Sequence, residues 1–276
     1  MIKQAIIPLA GLGTRLLPLT SVFAKELLPI NGKPGIEYIL DECIEAGIKE
    51  VIFIISKKKL MIKKYFYNDE FYKDIIKRKN DSRIILEYKK ILKYKKMIKF
   101  VFQNKPLGTG DAILKARKFI KEKYFLMLLP DDLIINKNCS KSMISIHKKF
   151  KSSVMASMRV KKNDVSRWGI YNIKNKIDKI NFIIKNVVEK PSIKNAPSNN
   201  AVIGRYILPK TIFDKLVDLK PSKGGEIHIT DAIESLINDN GKFIGHSFSG
   251  KYLDCGTMNG YINSTLEIAK KWNYAW

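Results

Sequence analysis

Ala5-Ile6-Ile7-Pro8-Leu9-Ala10-Gly11-Leu12-Gly13-Thr14-Arg15 runs from an apolar segment straight into a glycine-containing turn that ends on an arginine. The run Ala5 to Leu9 reads as a buried strand, being short, apolar and bounded by turn residues. The two glycines permit positive φ and close backbone approach, so amide N–H groups can surround phosphate oxygens. Arg15 adds a forked cation for those oxygens. The turn is not a dinucleotide fingerprint, because Leu16 stands where a third glycine should be. Nor is it a Walker A loop, because no Gly-Lys-Ser/Thr follows.

Working outward, Val51 to Ile55, Lys99 to Phe102 and Tyr124 to Leu129 read as further buried strands, with helical patterns between them at Pro34 to Gly47 and Thr109 to Lys121. Alternation of this kind, with Gly47 placed for a helix C-cap, predicts βαβ units. The expected class is α/β: a Rossmann-like, mixed and mostly parallel sheet with helices on both faces. Ligands of such open sheets sit beyond the carboxyl ends of the strands, where the first turn lies. Lys57 to Lys96, rich in Lys, Tyr and Ile, reads as a helical excursion without chemistry of its own. From Val154 onward strands and turns become denser, which predicts a smaller second lobe; a helix over Thr230 to Asn238 and a final stretch Met258 to Asn273 follow.

Composition narrows the function classes. With 45% hydrophobic and 28% charged residues over 276 positions the chain is expected to fold as a globular protein. The formal net charge of +25 is extreme. It is spread through runs such as Lys57-Lys58-Lys59, Lys89-Lys90 and Lys148-Lys149, with no arginine-rich stripe, and so favours general phosphate attraction over a nucleic-acid surface. Cys43, Cys139 and Cys255 have no metal-ligand spacing, and their odd count argues against a disulfide framework, so a reducing cytoplasm is expected. No leader and no apolar run of roughly 18 residues is seen, and neither export nor a membrane partner is expected. His147 and His246 are expected at the surface, His228 in packing, and Cys255 in the interior.

Lys25-Glu26-Leu27-Leu28-Pro29 and Lys33-Pro34 supply a second cation after Arg15. At this point the chain resembles the nucleotide-diphosphate-sugar pyrophosphorylases, a nucleotidyltransferase family whose signature reads G-x-G-T-R-x-x-P with a later P-K-x-x-x-P and K-P. Ala10 and the Lys25 to Pro29 motif are most similar to the family's uridylyltransferase branch. Further matches come in the family's order: Gln103 to Ala112, Leu129-Pro130-Asp131, Trp168-Gly169-Ile170, Val188 to Pro191, Asn200 to Tyr206, Glu226 to Asp231 and Asp254 to Thr257.

The resemblance implies UTP and glucose 1-phosphate as substrates, Mg²⁺ as cofactor, UDP-glucose and pyrophosphate as products, and a glycosyltransferase-A-like fold. It implies one domain over 1–276, with a nucleotide lobe at about 1–135, a sugar lobe at 136–257 and a C-terminal helix at 258–276. Arg15, Lys25 and Lys190 are its expected catalytic cations. Ala10, Gly11, Gly13, Thr14, Glu26, Gln103 and Gly108 are expected on the nucleotide, with Gln103 and the Gly108 backbone reading the uracil edge. Asp131, Gly169, Glu189 and Val202 are expected around the sugar, and Asp131 and Asp254 as the metal ligands. Thr230 is expected to cap the helix after it. Trp272 and Trp276 are candidate subunit contacts, since the family forms homo-oligomers, dimers or tetramers.

Three positions depart from the uridylyltransferase pattern: Ser21 for Lys, Ala24 for Pro, and Asp111 where His is common. Thymidylyl transfer is the alternative within the reaction class, and a catalytically silent, nucleotide-sugar-binding regulator is the alternative outside it.

Overall fold

A computed structural model describes residues 2–222 and 224–270. Its strands, in chain order, are β1 (Gln4–Pro8), β2 (Pro29–Ile30), β3 (Lys33–Pro34), β4 (Glu50–Ile55), β5 (Ile98–Phe102), β6 (Tyr124–Leu128), β7 (Asp132–Ile135), β8 (Ser153–Arg159), β9 (Gly169–Lys176), β10 (Asn181–Glu189), β11 (Asn200–Pro209), β12 (Phe243–Ser247) and β13 (Lys251–Asp254). Nine of them form one sheet in the order β5-β4-β1-β6-β11-β8-β12-β10-β9. It is the expected mixed sheet. The β5-β4-β1-β6 block is parallel throughout, so the carboxyl ends of these four strands share one edge. Antiparallel pairing begins where β11 joins β6 and predominates on the far side.

Alternation along the strands places a core on each face. Ala5, Ile7 and Leu9 pack with Val51, Phe53 and Ile55 under the helix Gly35–Glu45, while Ile6, Ile52 and Ile54 face the helices Gly108–Leu114, Ile212–Asp218 and Ile229–Asn238. Phe53 is fully buried against Phe66 and Phe100, with ring centroids 5.9 and 5.6 Å away. Burying such a side chain contributes about 2–3 kcal/mol. Phe66 belongs to the expected excursion, which forms helices Leu60–Tyr67, Asp69–Lys79 and Ser82–Met97 and leans on the sheet through Ile62, Phe66, Ile91 and Tyr94.

Several local expectations are corrected. The helix expected over Thr109 to Lys121 runs only from Gly108 to Leu114, with a 3₁₀ turn at Arg117–Phe119. Gln4 takes over the backbone groups that a longer helix would use: its Nε2 donates to Phe119 O, and its Oε1 accepts from the Lys121 and Glu122 N–H groups. Thr230 does not cap its helix. His228, in extended conformation, stands at the N-cap, and the Ile229 N–H is met by Thr109 Oγ1 at 3.4 Å. His246 is buried within β12, not at the surface, with Nδ1 2.8 Å from Asn181 Oδ1 and Nε2 3.0 Å from Ser142 Oγ. His147 is half-buried, its Nδ1 2.8 Å from Ser152 O. Cys43, Cys139 and Cys255 are free and buried. The last helix spans Met258–Ala269, and Trp272 and Trp276 lie outside the described residues.

Two long-range ties bring distant chain to the carboxyl edge of the parallel block. The ribbon β7–β13 pairs Asp132 with Asp254. Behind it the guanidinium of Arg205, fully buried on β11, donates to Glu42, to Leu129 O and to Asp132 O. An unpaired cation there would be strongly destabilising, which is why Glu42 and three carbonyls surround it.

Candidate active site

The turn after β1 takes the shape its glycines allow. Gly13 has φ +71°, and a Cβ there would stand 3.1 Å from Thr20 Cγ2, whose hydroxyl donates to Gly13 O at 2.8 Å. A side chain at position 13 is therefore strained on both counts. Thr14 to Leu16 then form a 3₁₀ turn that aims Arg15 outward, 64% exposed, with Nη2 3.5 Å from Asp131 Oδ2.

Lys25 reaches the same oxygen at 2.7 Å, with only 15% of its side chain exposed. Burial opposes its charge, yet the Asp131 and Glu26 carboxylates outweigh that and hold its pKa above the usual lysine value. Asp131 mirrors it: burial pushes its carboxyl up, but Lys25 and Arg15 prevail and hold it below the usual range. The pair is ionised and prearranged. Its neighbour Asp132 behaves oppositely. Burial, and then the charge of Asp131, push its pKa up to about 6. Tyr252 OH at 2.7 Å and Gly204 N–H at 2.8 Å donate to its two oxygens.

Asp254 arrives through the ribbon. Its Oδ1 accepts from the Gly256 N–H at 2.8 Å, and Cys255 N–H donates to Asp131 O at 2.8 Å. A Cβ on Gly256 would meet Asp131 Oδ2, Arg15 Nη2 and Asp254 Oδ1 at 2.8, 2.9 and 3.2 Å, so the two carboxylates converge on one glycine. Among the described residues no cluster of three or more acidic, histidine or cysteine ligands occurs. A pair of carboxylates nevertheless suits Mg²⁺, which keeps most of its waters and takes its remaining ligands from substrate phosphates. Burial pushes the intervening Cys255 thiol up to about 12, which makes it packing and not a nucleophile.

A cavity of about 410 Å³ opens between the glycine turn and the Gln103 to Ala112 segment, lined by Ala10, Gly11, Gly13, Thr14, Lys25, Glu26, Gln103, Gly108 and Asp131. Its size is that of a small-molecule site. Gly108 has φ +91°, and a Cβ on it would lie 2.6 Å from Ile227 O, so this wall admits only glycine. Gln103 is buried, and its Nε2 donates to Gly108 O at 3.1 Å and to Asp111 Oδ2 at 2.8 Å. Glu26 is turned away from solvent, with both oxygens on Lys59 Nζ at 2.7 and 2.8 Å. Burial lowers the Lys59 pKa, and Glu26 offsets part of that.

The other expected residues form a second, looser group. Glu189 closes β10 opposite Gly169 of β9, and a Cβ on Gly169 would meet Glu189 Oε2 at 3.0 Å and Val202 Cγ2 at 3.5 Å. Lys190 takes a left-handed φ of +43°, donates its N–H to Trp168 O at 3.0 Å, and carries an ammonium 4.0 Å from Glu189 Oε1. Both side chains are largely exposed, 66% and 63%, and among the described residues neither touches the Lys25–Asp131 pair.

Sequence reasoning missed Lys59, the roles of Asp111 and Asp132, and Glu226, which lines the cavity. Nothing in the run Lys57-Lys58-Lys59 marks the third lysine as the inward one; the 3₁₀ turn does that. Of the departures, Ser21 lies on a small cleft of about 90 Å³ that Lys58 and Lys59 also line. Ala24 is buried, its N–H on Met61 Sδ at 3.1 Å. Among the described residues no helix is long and apolar enough to cross a membrane.

The nucleotidyl transferase family profile matches residues 4–271. A putative UTP–glucose-1-phosphate uridylyltransferase of Methanocaldococcus jannaschii is 38% identical, over 97% of this chain and 93% of that protein. UTP–glucose-1-phosphate uridylyltransferase 1 of Staphylococcus saprophyticus is 36% identical, over 99% and 94%. A crystal structure of UDP-glucose pyrophosphorylase complexed with UDP-glucose superposes with a TM-score of 0.86 at 36% identity, covering 99% of this chain and all of that one. A glycine turn, a cation–carboxylate cluster and a cavity of small-molecule size at one sheet edge thus sit on a chain that matches such proteins over nearly its whole length, and the chain belongs to the nucleotidyl transferase family.

Proposed function

We propose that this chain joins UTP to glucose 1-phosphate, giving UDP-glucose and pyrophosphate, as a Mg²⁺-dependent uridylyltransferase. The observation that carries the reading is the placement of the glycine turn, the Lys25–Asp131–Arg15 cluster and the Gln103 wall around one cavity. The activity for which the uridylyltransferase relatives are named supports the choice of substrates.

The chemistry asks little of a proton carrier. A phosphate oxygen of glucose 1-phosphate, already anionic at neutral pH, attacks the α-phosphorus of UTP. One P–O bond forms to that oxygen, the bond to the bridging α–β oxygen breaks, and pyrophosphate leaves with the electron pair. The task is to bring two polyanions together in line and to neutralise charge on the leaving group. Backbone amides of the Gly11 to Thr14 turn and the Arg15 guanidinium hold the triphosphate. Lys25, kept charged by its carboxylate neighbours, stands beside the reacting phosphorus. Asp131 and Asp254 would hold Mg²⁺, which supplies charge neutralisation on the phosphates when bound. Glu189 takes hydrogen bonds from sugar hydroxyls beside Gly169 and Val202, and Lys190 swings its ammonium onto the sugar phosphate.

Release of pyrophosphate from UTP plus glucose 1-phosphate by the purified protein with Mg²⁺ tests the reading, with dTTP, ATP, CTP and GTP and other sugar phosphates alongside. A clear preference for dTTP would replace uridylyl by thymidylyl transfer. Binding of UDP-glucose without turnover would make the chain a regulator. The free, buried cysteines suit the cytoplasm proposed for it, and a homo-oligomer is proposed, to be read by light scattering.

A further inference from the structure

Asp111 has a partner in the cavity wall. Its Oδ2 accepts from Gln103 Nε2 at 2.8 Å, and its Oδ1 lies 2.9 Å from Lys115 Nζ one helical turn on. Gly108 O accepts from the same Nε2 at 3.1 Å. A carboxylate and a carbonyl can only accept, so both demand the NH₂ end of the amide. Turning the amide over would set its oxygen against two other oxygens in a buried place, at the cost of two hydrogen bonds and an added repulsion. The Gln103 Oε1 has no hydrogen-bond donor among the described residues, and it is the end of this cavity-lining side chain left for a ligand.

The polarity of that atom matters for a base. On its Watson–Crick edge uracil carries one donor, the N3–H, between two carbonyl acceptors. Cytosine carries a lone pair at N3 in the same place. An amide locked with its oxygen toward the base accepts from the first and repels the second. We propose that Asp111, backed by Lys115, is a positioning residue that fixes the Gln103 amide as an acceptor and thereby selects bases with an imide N–H over cytosine. The inference rests on the reading of this cavity as the nucleotide site.

The test compares UTP and CTP, by kcat/KM for pyrophosphate release and by calorimetric affinity. Wild-type protein is expected to favour UTP by about 10³-fold or more, since a site built to accept one N–H leaves an unmatched group when that N–H is absent. Asp111→Ala removes the charged and shorter of the two contacts that orient the amide, leaving only Gly108 O, and should narrow the UTP/CTP ratio by about tenfold or more, with UTP losing and CTP holding or gaining. Asp111→Asn offers an amide that can pair with Gln103 in either sense and should narrow the ratio too, which guards against one variant failing to fold. In a Gln103→Ala background the Asp111→Ala change should leave the ratio where Gln103→Ala alone puts it, because Asp111 acts through Gln103. A purely structural role would lower both nucleotides equally. Equal loss, or a ratio unchanged in both folded variants, overturns the proposal. Wild-type protein that binds UTP but releases no pyrophosphate would overturn the proposed reaction alone, since the affinity ratios still decide the clamp.

Discussion

The two cationic arms of the site are built differently. Lys25 is buried, bonded to Asp131 at 2.7 Å and surrounded by carboxylates, whereas Lys190 stands 66% exposed with its nearest carboxylate at 4.0 Å. A charge fixed in a low-dielectric place is worth more to a transition state and needs no rearrangement when charge develops. A solvated lysine on a flexible stem gains little until a ligand gathers it. The arm proposed for the nucleotide is thus prearranged, and the arm proposed for the sugar phosphate is left to assemble around it.

The sharpest way to break this contrast is Lys25→Ala. It should cut kcat/KM by about 10³-fold, as loss of a prearranged charge contact does. It should also cost about 2–3 kcal/mol of stability, because Asp131 is left buried with only Arg15 at 3.5 Å. Stopped assays and denaturant unfolding read the two effects, and a stable Lys25→Ala protein would mean the pair is not buried in the sense argued. Lys190→Ala should raise the KM for glucose 1-phosphate by about tenfold to a hundredfold with little change in UTP affinity, as for a uniform binding contact. Its melting temperature should stay within experimental error of wild type, and a marked drop would show that the exposed arm has a packing role.

The smallest effect is one of pH. The Asp132 carboxyl, with its folded pKa raised to about 6, binds its proton more tightly in the folded chain than in the unfolded one. The stability it contributes is therefore present at acid pH and is lost as pH rises from the unfolded carboxyl range through about 6. Asp131 has the opposite sign: its contribution is present above the unfolded pKa and is lost only as pH falls through its lowered value. Asp132→Asn, which mimics the neutral form, should compare better with wild type at neutral pH than near pH 5.5, by roughly 1 kcal/mol. Chemical denaturation at the two pH values checks this, and a pH-independent difference would refute it.

Much of the nucleotide side was legible because its signals are local. Gly13 is favoured as glycine by its own left-handed φ and by Thr20 beside it, and Asp131 lies just past the end of an apolar strand; both signals are local. Asp254 was legible only through its motif, since its approach to Asp131 depends on a ribbon between distant segments. Lys59 and the Asp111–Gln103 contact were not legible in the sequence, because the choice of which lysine turns inward and which carboxylate meets an amide is made by tertiary packing. Thr230 misled for a related reason: a good capping residue is used only where the backbone leaves the helix, and here that happens two residues earlier, at His228.

The β7–β13 ribbon also sets an order of events during synthesis. The glycine turn, Lys25, Gln103 and Asp131 can leave the ribosome and begin to organise while Asp254 is still to be added. Asp254, the carboxylate proposed to share a cation with Asp131, is delivered only when the final strand of the ribbon closes, so a chain halted before that point would carry the glycine turn and its cavity without the second carboxylate. Completion of the carboxylate pair is in this sense a late step, reached only once the last strand of the ribbon has been added.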